Sequence, residues 1–262
     1  MNFTCLENPF FTRFKSVVEI DLIPNNFTMI KLGESPHPLS LLAAQELQHY
    51  LQTQTEWAHN FGLNNDLNSA IIGKMFGVLV VQNAQQEVGY LAAFSGKLAG
   101  GNHHSKFVPP VFDLLTVSSF LSVGMKELKA KTDALKTLEI NQSENSIAII
   151  KFKQKRKQFS NNLQQQIFDN YSFLNQQGNS KNIRDIFDDA SYKNPPAGAG
   201  ECAGPKLLQY AFLHQLKPLA LTEFWWGQSP KSVNWKHGHF YPCCKEKCEP
   251  ILAHMLQGLV NN

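Results

Sequence analysis

No stretch of this chain reaches the roughly 18 consecutive apolar residues that a membrane-spanning helix requires. Charged residues are also sparse, at 17% of 262 positions, against 43% hydrophobic. That balance excludes an extended charged tail and fits a globular chain long enough to bury a sizeable core. Arginine occurs only at Arg13, Arg156 and Arg184, and the formal net charge is only +3. So small an excess does not by itself define a nucleic-acid partner, for which the placement of the cations matters more than their sum. The opening residues 1–7 (MNFTCLE) lack a basic segment followed by an apolar run, so no secretory signal is expected. Cysteine is scarce and uneven: Cys5 stands alone, Cys202 opens a helix-like run, and Cys243, Cys244 and Cys248 crowd together. In a chain expected in the cytoplasm, clustered thiols point to metal or thiol chemistry before a disulfide scaffold.

What is present reads as alternating elements without internal repeats. Residues 38–52 (PLSLLAAQELQHYLQ) place Leu41, Leu42, Ala44, Leu47 and Leu51 at helical spacing, with Ser40 as the expected N-cap. Residues 71–81 and 88–94 are near-continuous apolar runs flanking a polar turn, which predicts a strand pair buried on both faces. A glycine-rich basic loop follows over 95–106, closed by Pro109 and Pro110. Between about 123 and 177 the composition shifts to Lys, Glu, Gln, Asn and Leu, predicting two solvated helices, about 124–138 and 147–174, joined near Asn141. Beyond Gly178 come a short helix at 183–187, a loop at 193–200, a helix at 201–214, strands at 219–226 and 238–241, and a closing helix at 250–259. The expected fold is α+β: two small α/β-type globular parts separated by a helical hairpin, a short antiparallel coiled coil. The boundaries are 1–122 with its buried β-hairpin, 123–177 for the hairpin, and 178–262 with the Gly/Cys loop and the cysteine cluster.

Several blocks then stand together in one order: 74–81 (KMFGVLVV), 89–100 (GYLAAFSGKLAG), 107–113 (FVPPVFD), 195–203 (PPAGAGECA), 205–212 (PKLLQYAF), 223–227 (EFWWG) and 237–242 (HGHFYP), the last leading to Cys244 and Cys248. In these blocks the chain resembles the long N-terminal region of a subset of RluA-type RNA pseudouridine synthases, over about residues 36–258. The resemblance implies a part in uridine isomerisation on ribosomal or transfer RNA, with a catalytic isomerase domain as partner. In that family the isomerase domain carries an Arg-x-Asp motif whose aspartate attacks the uridine. None of the three arginines here is followed two residues later by Asp, so the expected role is that of an accessory module. The region in the family usually also carries a longer charged coiled coil than 124–174.

Three kinds of chemistry remain open in the residues themselves. Cys202, Cys244 and Cys248, with His239 as a further donor, offer soft ligands for a tetrahedral ion such as zinc, the candidate cofactor. The order Glu201-Cys202 followed by a Pro-Cys pair is similar to the nucleoside deaminases, but Glu201 precedes its cysteine directly and three residues separate Cys244 from Cys248. Alternatively, Cys202 at a helix start is a candidate nucleophile, its pKa expected to fall in the helix dipole. His237 or His239 would then be its base, with Glu201 and Glu223 as further polar members of such a site, a thiol- or zinc-dependent hydrolase. Cys202 among small residues is equally explained by close packing. The third is RNA contact: Lys151, Lys153, Lys155, Arg156 and Lys157 concentrate charge on a helix, and Lys97, His103, His104 and Lys106 decorate the glycine-rich loop. Trp225, Trp226, Trp235, Phe240 and Tyr241 are candidate stacking surfaces for unpaired bases, or core rings alternating across a strand.

Overall fold

The two apolar runs pair as antiparallel strands, β3 (Lys74–Gln82) and β4 (Val88–Phe94), in a computed structural model that describes residues 8–63, 70–113, 115, 118–141, 146–190, 194–230 and 234–259. Their turn is fixed by Asn83, whose side-chain oxygen accepts from the backbone N–H of Gln85 and of Glu87. On its other edge β3 pairs antiparallel with β7 (Lys217–Trp226). Three short strands complete the sheet: β1 (Thr12–Arg13), β2 (Thr28–Met29) and β8 (Phe240–Tyr241). The order is β1-β4-β3-β7-β2, with β8 also on β7, and β2 is the parallel member. The structure is therefore a mixed α/β one, and its sheet draws strands from both of the expected globular parts. The division at 122 and 178 does not follow the sheet, because β7 from the second part pairs along its length with β3 from the first.

Alternation along the strands gives two cores. Phe76, Val78 and Val80 of β3, Tyr90, Ala92 and Phe94 of β4, and Phe224 and Trp226 of β7 face helix α1 (Pro38–Thr53). The buried stripe of α1 is Leu39, Ala43, Ala44, Leu47 and Leu51. It is rotated from the expected face, and His37 rather than Ser40 is the N-cap: the His37 ring accepts from Leu39 N–H, and Ser40 donates back to the His37 carbonyl. On the opposite face Leu79, Val81, Leu91, Ala93 and Leu221 meet helices α5 (Ala203–Leu213) and α6 (Glu249–Met255), and with them α4 (Ile183–Asp189). A bulge between Val80 and Val81 leaves Leu219 and Ala220 together on the α1 side.

Helices α2 (Ser118–Asn141) and α3 (Ile147–Asp169) lie side by side. Leu163 packs on Gly124, Arg156 donates to Thr132 at 2.9 Å and Lys153 pairs with Glu139 at 2.8 Å, so the contacts run in opposite chain directions. Most of the connection between them lies outside the described residues. Helix α3 does not continue to Leu174 as its composition suggests. The Asn182 amide donates to the carbonyls of Phe168 and Tyr171, capping the helix end, and Ser172–Leu174 becomes strand β5, paired with β6 (Ser180–Asn182). Among the described residues no helix is long and apolar enough to cross a membrane.

One glycine decides how closely α5 approaches the sheet. A Cβ at Gly77 would stand 3.0 Å from the Ala203 Cβ and 3.1 Å from a Leu207 methyl, so the missing side chain lets the first turn of α5 rest on β3. Gly77→Val is expected to cost about 1–3 kcal/mol by overpacking. A denaturant titration with an unchanged midpoint would show that α5 is not seated this way.

Candidate metal centre

The loop before α5 ends in Gly198-Ala-Gly200, both glycines at positive φ. A Cβ at Gly200 would stand 2.8 Å from the Tyr171 ring, so only glycine fits there. This loop delivers Cys202 as the N-cap of α5. On the sheet side, alternation along β7 turns Glu223 toward α5, where it is 6% exposed and accepts a hydrogen bond from Gly204 N–H at 2.9 Å. The third contribution comes after β8, where the chain turns through Pro242 and Cys243. The Cys244 carbonyl accepts from Cys248 N–H at 3.2 Å and Glu249 N–H at 3.1 Å, which folds Cys248 back as the N-cap of α6.

These three segments bring the sulfurs of Cys202, Cys244 and Cys248 within 4.8 Å of one another, with Cys244 and Cys248 3.2 Å apart. Hydrogen bonding with the Cys202 and Cys248 thiols holds the Cys244 thiol far below its ordinary value. The Cys202 thiol is correspondingly pushed up, first by its hydrogen bond with Cys244, and Cys248 is pushed up by its bonds with Cys202 and Cys244. Three sulfurs converge in this way, an arrangement that a soft or borderline cation satisfies. The trio can hold a metal ion. Burial raises Glu223 to about 7 and Cys243 to about 12. Cys243 packs against the core and does not join the trio. Cys5 lies outside the described residues.

The other predicted site residues are placed more widely. Glu201 accepts a short hydrogen bond from the Tyr171 hydroxyl, and its carboxylate is 4.0 Å from the Lys206 ammonium. His239 is exposed in the approach to β8 and is not brought into the trio; its carbonyl accepts from Trp225 N–H at 3.0 Å. His237 packs edge-on against Trp226 and accepts from Gly227 N–H. The Cys202 thiol, expected to be acidic at a helix start, is instead shifted upward, first by its hydrogen bond with Cys244 and further by burial, against a lowering contribution from Cys248.

Of the cations, Lys97, Lys151, Lys153, Lys155 and Lys157 are exposed. Arg156 and Lys153 are turned to α2, as described above. Lys106 is turned inward: it donates to Thr12 at 2.9 Å and lies 5.0 Å above the Tyr90 ring. Trp226 is buried, while Trp225 stacks on Trp235 at 5.7 Å with Tyr241 against the outer ring.

Two members of this region were not singled out from the sequence. Lys206 is 3% exposed and donates to the carbonyls of Phe94 at 3.0 Å and Gly96 at 3.3 Å. Tyr171, 1% exposed, orients Glu201. For Lys206 a signal existed: it lies four residues after Cys202, next to the inward Ala203, Leu207 and Tyr210. No family model, no curated protein and no solved structure matches this chain.

Proposed function

We propose that this chain is an accessory module of RluA-type RNA pseudouridylation, engaging ribosomal or transfer RNA while a separate isomerase domain supplies the attacking carboxylate. The observation that carries the reading is the cationic segment of α3, where Lys151, Lys155 and Lys157 are exposed within two turns of helix. The ordered sequence blocks that resemble the family, and the absence of Arg-x-Asp from these 262 residues, support the same division of labour. In this reading α2 and α3 form a helical hairpin that presents the lysines, the cysteine trio takes zinc and pins the starts of α5 and α6 together, and the protein works in the cytoplasm. A gel-shift titration with structured RNA tests it. Affinity that falls steeply with salt is expected, and affinity that is absent or insensitive to salt contradicts it.

A second reading, a self-contained thiol- or zinc-dependent hydrolase, has the buried Glu223 beside the cysteines in its favour. The raised Cys202 thiol speaks against a nucleophile at that position. Purified Cys202→Ala separates the two. Loss of bound metal together with a lowered melting temperature marks a structural ligand, whereas a folded variant with hydrolysis abolished marks a nucleophile.

A further inference from the structure

We propose that the ion held by Cys202, Cys244 and Cys248 keeps its fourth position open to a small oxygen or nitrogen donor from solution, with the Glu223 carboxyl facing that donor. This rests on the reading that the trio binds a divalent metal. A tetrahedral ion of the zinc type needs four donors, and structural centres close all four with protein while reactive ones leave one free. Among the described residues no other His, Cys, Asp or Glu joins the three sulfurs. Cys243, although adjacent to Cys244, is not grouped with the three sulfurs. Glu223 has one oxygen on Gly204 N–H at 2.9 Å.

Glu223 nevertheless sits where a fourth donor would meet it. It lies on the same sheet face as α5, and its hydrogen-bond partner Gly204 is two residues after Cys202. Cys202 and Cys244 are only partly buried, whereas Cys248 is 2% exposed. A carboxyl beside a metal-bound donor orients it, the role that neighbouring carboxylates play around metal ligands.

Cobalt(II) titrated into the metal-free chain, followed by azide, reads the coordination directly. The sulfur-to-cobalt charge-transfer band should saturate at about one ion per chain, keep its full intensity in Cys243→Ser, and fall by about one third in Cys244→Ser, as three thiolate ligands require. Azide should then shift the ligand-field bands saturably in the wild-type chain. Glu223→Gln should leave the charge-transfer intensity intact and move the azide half-saturation by about tenfold or more. Ligand-field bands unmoved by azide, or a loss of charge-transfer intensity in Cys243→Ser, would mean a centre closed by protein and would overturn the proposal. No charge-transfer band in the wild-type chain would remove the metal reading itself, and the open position with it.

Discussion

Chelation of the purified chain is expected to lower its melting temperature by about 8–16 °C. The magnitude follows from mass action. An ion present at about 1,000 times its dissociation constant stabilises the folded state by about 4 kcal/mol. A chain of this size moves by about 2–4 °C for each kcal/mol. The stabilisation is concentrated because the three ligands come from three separate segments: the start of α5, the loop after β8 and the start of α6. Cys248→Ser should lose most of the same increment and should respond little to further chelator, since both changes remove one interaction. Differential scanning calorimetry with and without chelator checks this, and identical melting curves would contradict it.

The second large effect is on RNA. Replacing Lys151, Lys155 and Lys157 together by alanine is expected to make the slope of log affinity against log salt shallower by about 2 to 3, since each phosphate contact contributes about 0.7–0.9. The loss should be greatest at low salt and similar for unrelated RNA sequences, because phosphate contacts position without reading bases. Lys153 is left in place because it pairs with Glu139 on α2, and Arg156 because it donates to Thr132. The melting temperature of the triple variant should stay close to that of the wild type, as exposed lysines on a helix contribute little to stability. An unchanged salt slope would move the RNA surface elsewhere, with the Trp225–Trp235–Tyr241 group as the next place to look.

The sequence was most legible where a local pattern is enough. The apolar runs of β3 and β4 and their Asn83 turn are there, because burial on both faces leaves an unbroken hydrophobic signature, although β3 starts at Lys74 and leaves Ile71 and Ile72 exposed. The cysteines were legible as a group by residue type and crowding, and the structure brings Cys202 to Cys244 and Cys248 from far along the chain. What the sequence could not show depends on tertiary partners. Strand β7 reads as a strand, but nothing local says that it lies between β3 and β2 in the same sheet. Helix α3 stops at Asp169 because Asn182 caps it from the far side of β5 and β6. The direction of the Cys202 shift followed from sulfurs that local reasoning about a helix start does not contain. Lys206 passed as one polar residue of an amphipathic helix, although its ammonium is held by strand-end carbonyls on the sheet.

We propose that these residues support uridine isomerisation and do not perform it. Release of tritium from RNA labelled at uridine C5 measures it most directly, with the purified chain alone and then mixed with an RluA-type isomerase domain. No release by the chain alone, and faster release by the domain when the chain is added, is the expected result. Sustained turnover by this polypeptide with no other protein present would contradict it.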